Sequence, residues 1–449
     1  MANTRKSKSS LVERVADALG SLTPPGSSIL LGLSGGMDSV VLLHLLHTLA
    51  PRYSWKLSAL HVNHGISPNA DAWAAFCAEL CLRYAIPLHL EQVDITPLRD
   101  EHGIEAAARK LRHAAFAKQD CDFIALAHHA DDQAETLLLQ LLRGAGIKGV
   151  AAMPMRKSAA SHSAATLRPL LETPRSALLA YAQHHELRWV EDESNADDYY
   201  PRNFLRRNVL PQLEEKFPAY RETLARSARH FAEAGELLDE LARQDAQGWR
   251  QGDEAQLPVA CLRALSLPRA KNLLRYFLHT CGARMPQTAQ FDEMLHQLLQ
   301  AREDAAVCIE FGAWQVRLFQ NKIYVLGALK EFDRNFELSW HGESELTWPA
   351  ANASLLFTQA SGQGISLEKL QRAEVTLRLR TGGENLRPHP QAATKSLKNL
   401  LQEQHVPPWQ RERLPLLFCG NELVCVVGVA IAADYHAAPG EEGLLVSFK

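Results

Sequence analysis

The segment Ser34-Gly-Gly-Met-Asp-Ser39 has the composition of a loop that binds phosphate. It lies between a short apolar run that predicts a buried strand, Ser28 to Ser34, and a predicted helix, Asp38 to Leu49. Glycine lets the backbone approach a ligand closely, and the first turn of a helix offers unpaired N–H groups and a positive dipole end. Because Ser34 and Ser39 add hydroxyl donors, the sequence predicts an anion cradle at the start of this helix.

The anion cradle contains an acid and no lysine. The phosphate loop of common nucleoside triphosphatases follows the pattern G-x-x-x-x-G-K-[ST], which this segment does not match. Asp38 would repel a polyphosphate unless a divalent cation lay between them, so we expect Asp38 to hold a magnesium ion. The purely structural alternative is a glycine turn whose Ser or Asp caps the helix.

A second group of polar residues stands in His128-His-Ala-Asp-Asp-Gln-Ala-Glu-Thr136. A helix that begins near Asp131 would place Asp132 and Glu135, three residues apart, on one face, with His128 at the same end. Capping explains Asp131, since the helix dipole favours acids in the first turn. It does not explain two histidines that close a strand or an acid further in. His128, Asp132 and Glu135 are therefore candidate catalytic residues.

Two basic clusters are less specific. Glu105, Arg109 and Arg112 follow a spacing of i, i+4, i+7, which by itself is also that of a solvated ion pair on a helix. Arginines also concentrate between residues 202 and 207, where they suit phosphate contacts or a charged helix surface equally. The net charge of the chain is −3, so a nucleic-acid partner would have to bind through such local patches.

The elements that must position these residues alternate between strand and helix from Ser28 to about Met153. This order predicts a parallel, doubly wound α/β sheet, in which ligands bind outside the carboxyl ends of the strands. Residues 158–166 predict a loop, and residues 211–300 have helical periodicity. A hairpin over residues 308–319 and further short strands follow, with one helix near Ser396 to Gln404. We therefore expect three domains, over 1–210 (α/β), 211–330 (mainly helical) and 331–449 (small, mixed α+β).

Other features exclude some classes of protein. Gly144-Ala-Gly-Ile-Lys-Gly149 matches G-x-G-x-x-G but follows a predicted helix, so we expect a helix C-cap and a loop, or a lid, in place of a dinucleotide site. The eight cysteines are scattered, which favours reduced thiols over a metal site or disulfides. The chain shows neither a signal peptide nor an apolar run long enough to cross a membrane, so we expect a cytoplasmic protein and no membrane partner.

The joint set of motifs resembles the tRNA(Ile)-lysidine synthases, a family of PP-loop ATP-pyrophosphatases. The resemblance spans nearly the whole chain. It rests on SGGMDS, His61-Val-Asn-His-Gly65, Glu105…Arg109…Arg112, AHHADDQAET, Arg168-Pro-Leu, DESN, RNFLR, Thr381-Gly-Gly-Glu-Asn-Leu-Arg387-Pro, Lys395-Ser-Leu-Lys398, Val406-Pro-Pro-Trp409 and Leu414-Pro-Leu-Leu. His113 departs from the pattern, since the family usually has a tyrosine there.

This resemblance implies a reaction. Such an enzyme uses ATP to adenylate the C2 carbonyl oxygen of the wobble cytidine in the isoleucine tRNA with a CAU anticodon. The side-chain amine of free L-lysine then attacks C2 and expels AMP. The product, lysidine, pairs with A, so the tRNA reads AUA and is charged with isoleucine.

The resemblance also implies site residues. ATP would bind Ser34, Gly35, Gly36, Met37, Asp38, Ser39 and His61, and lysine would bind Arg109, Asp132 and Glu135. The tRNA would bind Arg202, Arg206, Arg207, Arg387, Lys395 and Lys398, with Arg411 and Arg413 as further candidates. The general base is either His128 or a carboxylate. The oligomeric state stays open, as does the way isoleucine tRNA is distinguished from methionine tRNA.

Two other functions are less consistent with the sequence. A tRNA thiolase of the same superfamily commonly uses paired catalytic cysteines, and none are suitably placed here. A catalytically dead RNA-binding protein would have no need for Asp38, Asp132 and Glu135.

Overall fold

The computed structural model describes residues 10–98, 103–158, 164–191, 193, 201–246, 256–302, 305, 307–328 and 331–449. The chain divides into two compact units, Met1–Leu241 and Ala242–Lys449. The predicted borders at residues 210 and 330 stay predictions. Among the described residues, no helix is both long and apolar enough to cross a bilayer.

The first unit is an α/β domain followed by helices. Its strands are β1 Ser28–Gly32, β2 Lys56–Asn63, β3 Leu88–Gln92, β4 Phe123–Ala125, β5 Arg156–Lys157 and β6 Ala165–Leu167. Its helices are α1 Leu11–Gly20, α2 Met37–Tyr53, α3 Ala70–Arg83, α4 Ile104–Ala117, α5 Ala130–Leu142, α6 Ile147–Val150 and α7 Arg175–His184, followed by α8 Pro201–Phe204, a π-helix Leu205–Val209, α9 Leu210–Lys216 and α10 Tyr220–Asp245.

The sheet confirms the predicted doubly wound fold. Its strand order is β3-β2-β1-β4-β6-β5, and every pairing is parallel except the one between β5 and β6. β1 lies at the centre and is buried on both faces. Ile29 and Leu31 pack into the larger core with α1, α2 and α7, whereas Leu30 packs on the other face against Phe116 of α4. Helices cover both faces, which is why β1 has to be a continuous apolar run.

The structure corrects the prediction in two places. Residues 158–166 were expected to be a loop, but β6 begins at Ala165 and pairs with β4, because its short apolar stretch extends the sheet. The strand–helix boundaries also shift. β1 ends at Gly32, two residues earlier than expected, and α5 begins at Ala130 with His129 as its N-cap in place of Asp131.

The Gly144–Gly149 segment follows α5 as expected for a C-cap. Gly144 has φ +68°, the left-handed conformation common at helix ends. The segment then forms the short helix α6, and Lys148 makes an ion pair with Asp239 of α10 at 2.7 Å. A lid function for this segment stays a prediction.

The second unit combines helices with antiparallel sheets. Its helices are α11 Val259–Arg263, α12 Leu267–Thr280, α13 Thr288–Gln300, α14 Leu367–Leu370, α15 Leu397–Glu403 and α16 Pro408–Arg411. Its strands are β7 Gln256–Pro258, β8 Cys308–Phe311, β9 Trp314–Phe319, β10 Lys322–Gly327, β11 Glu337–Trp340, β12 Glu345–Trp348, β13 Ala353–Ser361, β14 Ile365–Ser366, β15 Val375–Arg378, β16 Asn385–Leu386, β17 Lys395–Ser396, β18 Leu416–Cys419, β19 Glu422–Val426, β20 Ala430–Ile431 and β21 Glu442–Phe448.

These strands form two parts with separate cores. The sheet β7-β10-β9-β8 packs with α12 and α13 around Phe277, and it contains the predicted hairpin β8–β9. The sheets β11-β15-β18-β19-β20 and β12-β13-β21-β14 enclose a core around Trp348. The predicted helix near Ser396 to Gln404 is confirmed as α15. All eight cysteines are free.

One feature of the first unit predicts a pH-dependent stability. His44 of α2 is half-buried and its Nδ1 lies 2.8 Å from the Tyr181 hydroxyl, with His185 beside it. Burial, followed by the charges of His185 and His47, lowers the pKa of His44 below 6.5. A histidine whose folded pKa is depressed contributes stability above its unfolded pKa and loses that contribution as the pH falls through the folded value.

We therefore expect His44→Gln to destabilise the chain at pH 8 and to cost less as the pH falls below about 6. Thermal unfolding of the wild type and the variant at each pH measures the difference. The matched control is His89→Gln, an exposed histidine of β3. A Tm difference that stays constant with pH would contradict the assigned role of His44.

Candidate active site

The candidate site lies where the strand order of the sheet reverses. β1 is flanked by β2 on one side and β4 on the other, and the segments that follow β1 and β4 carry the two predicted motifs. At such a switch point the loops from the two strands diverge to opposite faces and leave a crevice at the carboxyl ends. The fold therefore brings the anion cradle together with the His128–Thr136 segment.

The anion cradle has the geometry of a preorganised loop. The Ser34 and Ser39 hydroxyls lie 3.1 Å apart, and the Gly36 N–H donates to Ser34 Oγ at 3.3 Å. Ser39 Oγ donates to the Gly36 carbonyl at 2.9 Å. Gly36 is the N-cap of α2, so the N–H groups of the first helical turn are directed to the crevice.

Gly35 is required by its backbone conformation and by its neighbours. Its φ is +87°, and its carbonyl accepts from the Val190 N–H at 3.0 Å. A Cβ at this position would lie 2.9 Å from Val190 Cγ2 and 3.2 Å from Cys77 Sγ. Val190 therefore packs against the loop and fixes its backbone. The spacing of the motif did not indicate this contact.

We expect Gly35→Ala to distort the cradle and raise the KM for ATP by about tenfold or more, because both the left-handed φ and the crowding oppose a side chain. Steady-state kinetics measure the change. In the control, Gly65→Ala, the glycine also has positive φ (+63°) but nothing lies within 4 Å of the added Cβ. An equal effect of both substitutions would mean that crowding by Val190 is unimportant.

An acid–histidine–acid arrangement links the two motifs. His129 Nε2 lies 3.5 Å from Asp38 Oδ2 and 3.5 Å from Asp132 Oδ2. Its side chain is 3% exposed. The backbone N–H of His129 also donates to Asp132 Oδ2 at 3.0 Å. The histidine between the acids is therefore His129, which the sequence analysis did not single out.

The charges in this arrangement stabilise one another. Burial alone would lower the pKa of His129, but a hydrogen bond with Asp38 and the negative charges of Asp132, Asp38 and Asp131 outweigh it, and the pKa lies above 6.5. Burial likewise opposes ionisation of Asp132, yet the charges of His129 and Arg202 bring its pKa below the usual value. Both directions favour a charged His129 beside a charged Asp132.

Glu135 is the most buried acid of the site. Its side chain is fully buried, and it receives hydrogen bonds from Arg206 Nε at 2.7 Å and from the second Arg206 nitrogen at 3.0 Å. Arg202 Nε lies 3.0 Å from Glu135 Oε2. Arg206 also reaches Asp132 Oδ1 at 3.4 Å. Arg202 and Arg206, predicted to contact tRNA, are thus paired with the two acids predicted to bind lysine.

The arginine-bearing helix is irregular where these contacts form. Arg206 lies in the π-helix Leu205–Val209, which interrupts an otherwise α-helical stretch. Single π-helical turns are often found at functional sites, because the extra residue per turn redirects side chains. Here the irregular turn coincides with the arginine that faces Glu135.

His128 is surrounded by more positive than negative charge. Burial lowers its pKa to about 4; Asp132 opposes this, whereas Arg168, Arg202 and Arg112 add to it. The buried Arg168 donates to the Pro154 carbonyl at 2.9 Å. Its pKa is lowered first by burial and then by the charge of Arg109. The predicted residue Arg109 therefore belongs to a positively charged group beside His128.

His113 also borders this group, and burial followed by the charges of Arg109 and Arg112 lowers its pKa.

His61, a predicted site residue, and Asp131, which helix capping had explained, both have structural partners. His61 is buried, and its Nδ1 donates to the Leu33 carbonyl at 2.9 Å, so it supports the end of β1 beside the cradle. Asp131 accepts from the Arg175 N–H at 2.9 Å and from Arg221 Nε at 2.5 Å. The sequence did not indicate Arg221, because this residue lies outside every motif identified in the chain.

The remaining predicted tRNA contacts lie in both units. Arg207 is in the π-helix, Arg387 pairs with Asp434 at 2.6 Å, Lys395 pairs with Glu403 at 2.6 Å, and Lys398 is exposed on α15. The Glu105 side chain, together with Asp192, Ser194 and Asn195 of the DESN motif, lies outside the described residues.

The environment of the Asp38 carboxylate is compatible with the predicted magnesium ion. Its Oδ1 is buried and has no hydrogen-bond partner in the described part of the chain. That part contains no cluster of three or more His, Cys, Asp or Glu side chains that could hold a metal on its own. Magnesium in such sites is commonly held by one or two carboxylates together with phosphate oxygens and water.

Comparisons with known proteins identify the family of the chain. The PP-loop domain family matches residues 6–213, the TilS substrate binding domain matches 257–324, and the TilS substrate C-terminal domain matches 375–448. The tRNA(Ile)-lysidine synthase of Nitrosomonas europaea is 42% identical over 425 residues, which cover 94% of this chain and 92% of that protein. The enzyme of the same name from Coxiella burnetii is 38% identical, covering 93% of this chain and 92% of its own.

These relatives align with more than nine-tenths of the chain. The family models match the segment that contains the anion cradle and segments in both parts of the second unit. The chain therefore belongs to the tRNA(Ile)-lysidine synthase family and is an ATP-binding, tRNA-modifying ligase.

Proposed function

We propose that this chain joins free L-lysine to C2 of the wobble cytidine in the isoleucine tRNA with a CAU anticodon, in the cytoplasm. The observation that carries this proposal is the meeting of Asp38, His129, Asp132 and Glu135 at the switch point of the sheet. The anion cradle can bind the phosphate groups of ATP, and the carboxylates of Asp132 and Glu135 can bind an ammonium group. One crevice can thus serve both the activation of the base and its attack by an amine.

The first half of the reaction uses the cradle. The α2 N-terminus and the hydroxyls of Ser34 and Ser39 would bind the pyrophosphate part of ATP, and Asp38 would hold magnesium, which neutralises phosphate charge. The cytidine oxygen attacks the α-phosphorus and pyrophosphate leaves. A carbonyl oxygen is a poor leaving group, and the attached AMP makes it a good one.

The second half of the reaction needs a place for lysine. Asp132 and Glu135 can bind an ammonium group, and the cationic group that includes Arg109 can bind the carboxylate. In the structure Arg206 pairs with both of these acids, at 3.4 Å from Asp132 and 2.7 Å from Glu135. The ammonium group of lysine can bind there only if Arg206 moves away from at least one of these acids. The guanidinium of Arg206 can then contact a phosphate group.

Proton transfer limits the choice of base. Free lysine has a side-chain pKa near 10.4, so its amine must lose a proton before it attacks. With a pKa of about 4, His128 is neutral at pH 7, whereas a hydrogen bond with Asp38 and the negative charges of Asp132, Asp38 and Asp131 raise the pKa of His129. We propose His128 or a carboxylate of the site as the general base, and His129 as the residue that balances the charge of Asp132.

The test is lysine incorporation. Purified chain is incubated with isoleucine tRNA transcript, ATP, magnesium and radiolabelled lysine, and each component is omitted in turn. Label in the tRNA only when all are present supports the proposal, and methionine tRNA with the same anticodon is the matched control. Release of pyrophosphate on adding RNA without any lysine incorporation would instead mean that another nucleophile attacks the activated base.

A further inference from the structure

A buried glutamine on the helix that carries the site acids holds a backbone segment that follows α6. Gln133 of α5 is 6% exposed, and its side-chain amide pairs with both backbone groups of Met153. Its Nε2 donates to the Met153 carbonyl at 2.7 Å, and its Oε1 accepts from the Met153 N–H at 2.9 Å. Two such hydrogen bonds to one residue fix the position and the direction of the backbone there. Gln133 therefore positions residue 153 relative to Asp132 and Glu135.

The same backbone segment holds Arg168. The backbone N–H of Arg168 donates to the Met155 carbonyl, and its Nη1 donates to the Pro154 carbonyl, each at 2.9 Å. Met155 directly precedes β5, and β5 pairs with β6 directly before Arg168, so the segment runs along the end of β6. These contacts form a continuous connection from Gln133 through residues 153–155 to the guanidinium of Arg168.

Arg168 lies at the edge of the sheet that forms the candidate site. It follows the last residue of β6, which pairs in parallel with β4, with Leu167 opposite Ala125. The segment after β4 leads to His128, so Arg168 and His128 both follow the carboxyl ends of neighbouring parallel strands. Ligands of such sheets bind at this edge. The Arg168 side chain is therefore on the side of the sheet where the reaction is proposed to occur.

The guanidinium of Arg168 is buried beside neutral and positive groups. The residue is 7% exposed, and its Nη1 contacts a neutral carbonyl. Its Nε is buried and has no hydrogen-bond partner in the described part of the chain. Because Nη1 is engaged, the edge formed by Nε and the other terminal nitrogen is the one that can receive a ligand. A carboxylate matches this edge with two parallel hydrogen bonds and would offset the cost of burying the charge.

We propose that Arg168 binds the carboxylate of free lysine and that Gln133 positions Arg168 through the backbone of residues 153–155. The inference rests on the proposed function, since it takes lysine as the substrate. The anion cradle provides for the phosphate groups of ATP, which leaves the Arg168 edge to the other anionic group among the substrates. Asp132 and Glu135 lie on the same helix as Gln133. α5 thus sets the distance between the groups that bind the two ends of lysine.

The first experiment compares L-lysine with L-lysinamide, in which a neutral amide replaces the carboxylate. In Arg168→Gln the KM for lysine should rise about thirty- to a hundredfold, because a charge-assisted pair with the carboxylate is lost. The KM for lysinamide, or its Ki against lysine, should change by less than about threefold. Pyrophosphate release should also fall by less than about threefold, since the cradle is unaltered. Arg168→Lys keeps the charge but not the planar edge, so its KM for lysine should lie between those of the wild type and Arg168→Gln.

The second experiment tests the positioning role of Gln133. Gln133→Leu should raise the KM for lysine about five- to tenfold and leave kcat and the KM for lysinamide nearly unchanged. In the Arg168→Gln background the same substitution should add nothing, because residues that act through one contact are not additive. The matched control is Gln140→Leu, a half-buried glutamine further along α5, which should change none of these quantities.

Several results would overturn the inference. Equal changes for lysine and lysinamide in Arg168→Gln would mean that Arg168 does not recognise the carboxylate, and a larger loss of pyrophosphate release than of lysine binding would assign Arg168 to a phosphate group. Additive effects of Gln133→Leu and Arg168→Gln would remove the connection between the two residues. Equilibrium dialysis with labelled lysine separates this inference from the proposed function. Absence of lysine incorporation in the wild type would refute that function, whereas an equal Kd for lysine in the wild type and Arg168→Gln would refute the role of Arg168.

Discussion

Replacing Asp38 by asparagine should reduce RNA-dependent release of pyrophosphate at least a hundredfold. The amide keeps the shape of the side chain but removes the charge that is proposed to hold magnesium and that partly balances His129 at 3.5 Å. Release of pyrophosphate from labelled ATP, followed over a magnesium titration, measures the loss. Excess magnesium should not restore the rate, because the missing ligand belongs to the protein.

The matched control for Asp38 is Asp71→Asn. Both acids are the second residue of a helix that follows a strand of the same sheet, but Asp71 is exposed and accepts from the Asn63 amide at 2.8 Å. We expect less than a twofold change in rate for this variant. A fully active Asp38→Asn enzyme with an unchanged magnesium dependence would remove Asp38 from the proposed mechanism.

Replacing Glu135 by glutamine should separate the two halves of the reaction. Glutamine preserves the packing of a fully buried side chain but removes the charge that faces Arg206 and Arg202. If Glu135 binds the ammonium group of lysine, the KM for lysine should rise by about a hundredfold. Pyrophosphate release should fall much less, since the cradle is unaltered.

The same substitution should also destabilise the first unit. Removing one partner from a buried ion pair leaves the other charge uncompensated. We expect a cost of about 2–3 kcal/mol, below that of a fully buried pair because the arginines are about one-third exposed. Adding Arg206→Gln should recover part of this loss, and thermal unfolding of the single and double variants measures it.

Glu214→Gln is the control for Glu135. Glu214 also pairs with an arginine, Arg221, but its side chain is 49% exposed. We expect little change in stability or in the KM for lysine, since solvent screens an exposed pair. Equal losses of pyrophosphate release and lysine incorporation in Glu135→Gln would show that Glu135 does not act selectively on lysine.

The sequence by itself was sufficient for the class of fold and for the position of the cradle. A short run that is apolar at every position, followed by Ser-Gly-Gly and a helix, fits a strand that is buried on both faces of a parallel sheet. The same local logic placed the helices that flank it and the hairpin β8–β9, because period and turn residues are properties of neighbouring positions. The joint order of motifs was sufficient to predict the family that the comparisons establish.

Only the tertiary structure decided which side chains meet. Whether His128 or His129 faces Asp38 depends on how the chain turns after β4, and one residue of difference reverses the direction of a side chain. The partners of Glu135 come from a helix some seventy residues later in the chain, so no spacing in the sequence indicates that Arg206 contacts it. The same holds for the support of Gly35 by Val190, since contacts across long chain separations are set by packing, which local patterns do not encode.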